Sequence, residues 1–222
     1  MAEIKLIEVK EEILADNIRQ AASVRDEYKR KKTMLLNLMS SPGSGKTSLI
    51  LRTVEALKDS VNIGVIEADI DSTVDAEKVA ATGIPAVQLR TGGFCHLDAA
   101  MVTQGLDALV GNDLDLIIIE NVGNLVCPAE FDTGAHKNVM ILSVPEGDDK
   151  PLKYPLMFSV SDLLLVNKID YLALSDFDIG ALRKRALTLN PRMAILEISC
   201  RSGAGIEEWI KWLRQELEAF RK

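Results

Sequence analysis

The distribution of apolar and polar residues predicts a chain that alternates between strands and helices. Short, nearly continuous apolar runs are separated by stretches in which apolar residues recur at helical spacing. Apolar runs with few polar interruptions are typical of strands covered by helices on both faces, so we expect a doubly wound, mostly parallel α/β sheet. The seven predicted strands lie near residues 34–39, 61–67, 85–89, 114–119, 138–144, 161–167 and 193–198.

Helical patterns precede and follow the predicted sheet. Residues 9–32 mix apolar and charged side chains and end in a basic run, Lys29 to Lys32, which favours the C-terminal end of a helix dipole. Residues 204–221 carry an apolar stripe that predicts a helix packed on the core. We therefore expect a helical extension over residues 1–32 and one α/β domain over residues 33–222.

Composition limits the classes of function. A chain of 222 residues with 47% apolar content suits one folded domain. The balance of 26 basic against 33 acidic residues, a net charge of -7, argues against nucleic acid and anionic membranes as partners. Because the sequence shows neither a signal-peptide core nor a run of membrane length, we expect a cytoplasmic protein. The three cysteines form no disulfide framework, which leaves metal binding, redox chemistry or burial.

A glycine-rich segment follows the first predicted strand. Ser40 to Thr47 matches the phosphate-loop pattern G-x-x-x-x-G-K-[ST], except that serine replaces the first glycine. Glycines let successive N–H groups curl around a phosphate, lysine neutralises the β- and γ-phosphates, and the threonine hydroxyl can bind magnesium. The alternative is an ordinary strand-to-helix turn. The candidate phosphate-binding residues are Gly43, Ser44, Gly45, Lys46, Thr47 and Ser48.

A second motif indicates guanine recognition. Asn167 to Asp170 reads Asn-Lys-Ile-Asp and follows an apolar strand, at the strand end where doubly wound folds bind ligands. An aspartate there can accept hydrogen bonds from guanine that adenine does not offer, whereas a solvated turn is the alternative. Ser199 to Arg201 follows a later strand and resembles the last nucleotide-binding element of GTPases. The candidate base-binding residues are Asn167, Lys168, Asp170, Ser199, Cys200 and Arg201.

Acidic residues near two strand ends are candidates for magnesium binding. Asp115 to Glu120 is an apolar strand ending in a carboxylate, and Gly123 completes a D-x-x-G-like switch with glutamate in place of aspartate. The acidic stretch Glu67 to Asp71 follows the second strand, although helix capping and surface exposure are alternatives. Since no arginine finger or glutamine is evident beside the switch, we expect slow hydrolysis. The candidate catalytic residues are Lys46, Asp69 and Glu120, and the candidate magnesium ligands are Thr47, Asp69, Asp75 and Glu120.

Cysteine and histidine form a further candidate site. Cys95 and His96 stand side by side in a glycine-flexed loop, and Cys127 lies just beyond the switch glycine. Three ligands do not close a tetrahedral site, but a two-fold dimer would supply twice as many. A lone cysteine is more often a buried small hydrophobe. We expect a structural or surface role for His136.

These motifs, together with Glu120 to Pro128 and Glu146 to Pro155, resemble the hydrogenase maturation GTPase family HypB. The match runs from about residue 10 to the end of the chain. The resemblance implies a P-loop GTPase domain that binds GTP or GDP with Mg²⁺ and assists nickel insertion into nickel–iron hydrogenase. It also implies a GTP-dependent homodimer, a maturation partner protein and the hydrogenase large subunit as partners, and Ni²⁺ or Zn²⁺ ligands at Cys95, His96 and Cys127.

Other functions remain open at this point. A related accessory GTPase, of the urease type or a chaperone of cobalamin-dependent mutases, shares the nucleotide motifs. The urease factor is expected to show Cys-Pro-His, whereas Cys127 is followed by Pro128 and Ala129. A protein that binds metal and keeps nucleotide as a structural ligand, without turnover, is a third possibility. Cysteine and histidine accept both zinc and nickel, so the ligand set does not identify the metal.

Overall fold

Seven parallel strands form a single sheet within residues 9–70, 73–111 and 113–222, the ranges that the computed structural model describes. The strand order is β3-β2-β4-β1-β5-β6-β7, so the chain runs outward from β1 to β2 and β3, returns to place β4 between β1 and β2, and then winds in the other direction. This order confirms the predicted doubly wound α/β sheet. The strands are β1 Met34–Ser40, β2 Ile63–Asp69, β3 Ala86–Arg90, β4 Leu116–Glu120, β5 Lys137–Ser143, β6 Leu163–Asn167 and β7 Ala194–Glu197.

Helices cover both faces of the sheet because side chains along each strand alternate between them. Leu36 and Leu38 pack with α2, α3 and α9, whereas Leu35 packs with α1 and α4, and Met39 with α7 and α8. Both faces are therefore apolar, as the continuous apolar runs predicted. The helices are α1 Val9–Arg30, α2 Lys46–Leu57, α3 Val74–Ala80, α4 Ala99–Ala108, α5 Cys127–Glu130, α6 Lys150–Lys153, α7 Pro155–Val160, α8 Ile179–Leu189 and α9 Ile206–Arg221.

The leading helix α1 lies against the sheet and α4. Val24 and Tyr28 are buried in the same cluster as Leu35, and Arg25 pairs with Asp132 at 2.7 Å. The first eight residues of the expected extension lie outside the described residues. The division of the chain at residue 33 stays a prediction.

Strand bounds differ from the predicted ones by one or two residues, and the difference matters at β2. The prediction of 61–67 was wrong, since β2 spans Ile63–Asp69. Val61 N–H bonds to the Leu57 carbonyl and so belongs to the turn that ends α2. The shift moves Glu67 from the last position of the predicted strand to the interior of β2.

The helices of the described ranges carry no candidate membrane span, because none of them combines the required length with sufficient apolar content. The final helix α9 instead buries an apolar stripe on α2. Trp209 is 1% exposed, and its Nε1–H donates to Thr53 Oγ1 at 2.9 Å. Full burial of a side chain of this kind contributes roughly 1.5–3 kcal/mol.

Candidate functional site

The phosphate loop connects the end of β1 to the start of α2. Gly43 and Gly45 have φ values of 74° and 109°, which L side chains rarely adopt. A Cβ atom on Gly45 would also lie 2.4 Å from Asn167 Nδ2. Gly45 is the N-cap of α2 and makes no side-chain hydrogen bond to the helix. The first N–H groups of α2 are therefore available to an anion bound at the start of the helix.

The serine that departs from the phosphate-loop pattern holds the loop lysine. Lys46 Nζ donates to Ser40 Oγ at 3.0 Å, and both residues are buried. Ser44 Oγ is buried without a hydrogen-bond partner, which marks a polar group available to a ligand. Ser41 Oγ donates to Glu146, whose other carboxylate oxygen accepts from Ser143 N–H at 2.8 Å. Glu146 therefore anchors the start of the loop, a role that the sequence did not predict.

Two buried carboxyl groups face each other beside Lys46. Glu67 on β2 is in register with Glu120 on β4, and Lys46 Nζ lies 4.0 Å from Glu120 Oε1. Thr47 Oγ1 donates to the same oxygen at 3.1 Å. Burial, followed by the negative charge of Glu120, raises the pKa of Glu67 to about 10. Burial also raises the pKa of Glu120, and this effect outweighs the hydrogen bond with Glu67 and the charge of Lys46, which both lower it.

This carboxyl pair has the donor chemistry of a magnesium site. Glu67 Oε1 and Glu120 Oε2 are buried and have no hydrogen-bond partner. Together with the Thr47 hydroxyl they present oxygen ligands, the type that Mg²⁺ takes. These residues fit a hard divalent cation. Glu67 was predicted only as the first residue of an acidic stretch at the end of the second strand and not as a ligand, because its position in register with Glu120 depends on strand pairing.

A cavity of about 260 Å³ lies beside these groups at the carboxyl ends of the strands. Asp69 is exposed at the end of β2 and lines this cavity, as does Asp75. Asp75 is paired with Lys78 at 2.7 Å. Gln88 on β3 also lines the cavity. The sequence pattern gave no evident glutamine beside the switch, because Gln88 is distant from the switch in sequence. Asp71 lies outside the described residues.

Asn167 joins the phosphate loop to the loop after β7. Its Nδ2 donates to the Ser44 carbonyl at 2.8 Å, and its Oδ1 accepts from Cys200 N–H at 3.2 Å. The side chain is only 1% exposed. Burial raises the pKa of the Cys200 thiol to about 11, so this thiol is a neutral, small side chain at neutral pH.

Of the other predicted base-binding residues, Asp170 and Arg201 are exposed, whereas Lys168 is half-buried and Ser199 is buried. Lys168 adopts φ 62°, and its Nζ donates to the Gly43 carbonyl at 2.7 Å. Asp170 is exposed and accepts from Ser199 Oγ at 2.6 Å. Arg201 is exposed in the adjoining turn. The structure thus brings the two predicted base-binding segments together beside the phosphate loop.

Cys95, His96 and Cys127 converge although Cys127 lies 31 positions after His96 in the sequence. Their ligand atoms all lie within 4.8 Å of one another, with the two sulfurs 3.0 Å apart. Two thiols and an imidazole fit a soft or borderline metal such as nickel or zinc. Three protein ligands leave at least one coordination position open.

Neighbouring groups and burial affect the protonation of His96 and Cys127. The His96 ring stacks on Phe131 with centroids 3.8 Å apart, and burial lowers the pKa of His96, which favours the neutral imidazole that binds metal. The hydrogen bond from Cys95, followed by burial, raises the pKa of Cys127. A bound metal ion has the opposite effect because it binds the thiolate.

His136 lies apart from this group. Its Nδ1 accepts from Leu35 N–H at 2.9 Å, which leaves Nε2 as the donor to the Arg25 carbonyl at 3.0 Å. Burial lowers the pKa of His136. Both ring nitrogens therefore connect α1 to the sheet, which agrees with the structural role expected for this residue.

Comparison with known proteins places these sites in a wider context. Residues 34–197 match the family described as CobW/HypB/UreG, nucleotide-binding domain. The hydrogenase maturation factor HypB of Azotobacter chroococcum mcd 1 is 46% identical over 216 residues, covering 97% of this chain and 71% of that protein.

Two solved structures share the fold at substantial sequence identity. HypB from Helicobacter pylori, determined in complex with nickel, has 36% identity and a TM-score of 0.87, and the match covers 93% of this chain and 97% of that one. HypB from Archaeoglobus fulgidus has 41% identity and a TM-score of 0.85, with 91% and 99% coverage. The residues that match the family model include the phosphate loop and Cys95, His96 and Cys127.

Proposed function

Since the chain belongs to the CobW/HypB/UreG family and is similar to HypB maturation factors over nearly its whole length, we propose that it is a GTPase that assists nickel insertion into nickel–iron hydrogenase. One observation carries this proposal. Cys127, one of the three metal-ligand candidates, stands at the end of the segment that begins at Glu120. This segment runs beside the phosphate loop, so the candidate metal site is connected to the candidate nucleotide site. A nickel complex of a relative with 36% identity supports the choice of metal.

Guanine selectivity rests on Asp170 in this proposal. Its carboxylate, oriented by Ser199, accepts hydrogen bonds from the N1–H and exocyclic amine of guanine. Adenine has no matching pair of donors, so an unpaired carboxylate would disfavour ATP. Lys168 lies along the base, and Asn167 keeps the two loops in register.

Triphosphate binding and hydrolysis depend on the phosphate loop and the carboxyl pair. Lys46 exchanges its bond to Ser40 for the β- and γ-phosphate oxygens. Thr47, Glu120 and Glu67 would hold Mg²⁺, which neutralises phosphate charge when bound. Asp69 and Asp75, at the edge of the cavity, orient water around the γ-phosphate or bind magnesium through water.

Nickel is the cargo of Cys95, His96 and Cys127. One subunit offers three ligands, and a two-fold homodimer formed with GTP brings six ligands together. Hydrolysis then releases the switch segment, separates the ligands and lets the metal move to a maturation partner or to the hydrogenase large subunit. In this scheme nucleotide and metal affinity are linked reciprocally.

The test is phosphate release from GTP with Mg²⁺, measured alongside Ni²⁺ binding and oligomer mass. We expect slow turnover, on the order of 10⁻³ per second, because no arginine lines the cavity among the described residues. Lys46→Ala should abolish turnover and keep Ni²⁺ binding to the thiols. Cys127→Ala should lose Ni²⁺ binding and retain turnover, which provides the matched control.

Two outcomes would contradict the proposal. Phosphate release at the uncatalysed rate by wild-type protein would favour a static binder that keeps nucleotide as a structural ligand. Retention of Ni²⁺ by both Cys95→Ala and Cys127→Ala would remove the cargo site from the scheme. Complementation of a hydrogenase-deficient strain against a urease-deficient one separates the proposed acceptor from the related urease type.

A further inference from the structure

The segment between Glu120 and Cys127 is confined between the phosphate loop and the loop that carries Cys95. A Cβ atom on Gly123 would lie 2.9 Å from the Pro42 backbone nitrogen. Because backbone cannot move aside as a flexible side chain does, only glycine fits here, and Gly123 lies in direct contact with the phosphate loop. Any displacement of the loop by a nucleotide therefore acts directly on this segment.

Asn124 connects this segment to both parts of the metal-ligand group. Its own N–H donates to the Ser40 carbonyl at 2.8 Å, at the start of the phosphate loop. Its side-chain Oδ1 accepts from Val126 N–H at 2.8 Å, the residue before Cys127. Its Nδ2 donates to the Cys95 carbonyl at 3.4 Å. One half-buried side chain thus bonds to backbone next to both cysteines.

Asn121 provides a second connection, to the residue after His96. It is fully buried, and its Oδ1 accepts from Leu97 N–H at 3.1 Å. Its Nδ2 donates to Asn37 Oδ1 at 3.1 Å, on the strand that leads into the phosphate loop. This residue holds the metal-ligand loop against the central sheet, and Asn124 is the more exposed of the two connections.

We propose that Asn124 is a positioning residue that transmits the nucleotide state to the metal site by setting the distance between Cys95 and Cys127. The inference rests on the proposed function, since it takes guanine nucleotide and Ni²⁺ as the two ligands. Metal–ligand distances tolerate deviations of only about 0.2 Å. A shift of the segment that changes either side-chain bond of Asn124 therefore changes the metal affinity.

The experiment measures Ni²⁺ affinity by competition with a chromophoric chelator, in the GDP–Mg²⁺ state and in the state with a non-hydrolysable GTP analogue. In wild type we expect the two affinities to differ by at least about 5-fold, the lower range of typical coupling. In Asn124→Ala the ratio should fall below 2-fold. GDP affinity should stay unchanged, because the backbone bond to Ser40 remains.

Two further variants separate transmission from a merely structural effect. Asn124→Asp keeps the acceptor for Val126 N–H and loses the donor to the Cys95 carbonyl, so it should retain part of the ratio. Asn190→Ala is the matched control. Asn190 is also half-buried and donates to backbone carbonyls, the shortest bond being 2.8 Å to Ser161, which precedes β6 at the amino end of the strands, opposite the candidate sites. The Asn190→Ala variant should keep the wild-type ratio of the Ni²⁺ affinities in the two nucleotide states.

The outcomes distinguish the inference from the proposed function. An unchanged ratio in Asn124→Ala, with or without an equal loss of Ni²⁺ affinity in both states, overturns the role of Asn124 alone. A wild-type ratio of one overturns the coupling and the role of Asn124 together. Absence of Ni²⁺ binding in wild type contradicts the proposed cargo site itself. The thiolate-to-nickel charge-transfer absorption, recorded in each state, gives a second readout that is independent of turnover.

Discussion

Replacement of Asn167 by alanine tests how the nucleotide site is held together. The substitution removes the donor to the Ser44 carbonyl and the acceptor for Cys200 N–H, at 2.8 and 3.2 Å. Since Asn167 is 1% exposed, both backbone groups lose a partner in a region that water reaches poorly. An unsatisfied buried polar group costs about 1–3 kcal/mol, so the loss of two partners should lower the free energy of unfolding by roughly 2–6 kcal/mol.

Such a loss is a large fraction of the roughly 5–15 kcal/mol by which a typical domain is stable against unfolding. Urea unfolding of nucleotide-free protein, followed by the fluorescence of Trp209 and Trp212, measures it directly. GDP affinity should fall as well, because the phosphate loop and the loop after β7 are no longer joined. Asn167→Asp is the matched comparison, since it keeps the acceptor for Cys200 N–H and loses the donor to Ser44. A change in unfolding free energy below about 1 kcal/mol, with unaltered GDP affinity, would refute the reasoning.

Three further changes probe the base, the carboxyl pair and the metal. Asp170→Asn places a donor before guanine's donors, so GTP affinity should fall and xanthosine triphosphate affinity rise; equal GTP affinity would exclude this role. The raised pKa of Glu67 means that the folded, magnesium-free protein binds more protons than the unfolded chain between pH 4.5 and about 10. Its stability should decline with rising pH over that window, by at most about 1.4 kcal/mol per pH unit, and Glu67→Gln should flatten the decline in urea titrations. Cys95→Ser should weaken the thiolate-to-nickel absorption, because only the Cys127 thiol remains, and should leave GDP affinity unchanged; an unaltered spectrum would argue against Cys95 as a ligand.

The fold was predictable because periodicity reports which faces of an element are buried. Continuous apolar runs such as Leu116 to Ile119 predicted strands covered on both faces, and the structure confirms this arrangement. The phosphate loop and the Asn167 motif were recognisable for a different reason. Gly45 is restricted by its positive φ and by the close approach of Asn167, and Asn167 is restricted by the two backbone hydrogen bonds that its side chain makes.

Contacts that depend on register were not predictable from local pattern. Glu67 reads as the start of an acidic loop unless β2 is known to extend to Asp69 and to pair with β4. Its burial opposite Glu120 is a tertiary property, and no spacing rule within one segment reports it. The bond from Ser41 to Glu146 has the same character, since it joins the ends of β1 and β5.

The proximity of the metal-ligand group to the nucleotide site follows from strand order. Because β4 lies between β1 and β2, the segment that leaves Glu120 must run beside the phosphate loop on one side and the end of β2 on the other. The loop after β3 starts two strands away from β4 and crosses the end of β2, where Leu97 N–H reaches Asn121. Cys127 can therefore meet Cys95 only through a segment already in contact with the phosphate loop. A domain with β4 at the sheet edge could carry the same motifs without this contact, so the strand order itself makes coupling between nucleotide and metal possible.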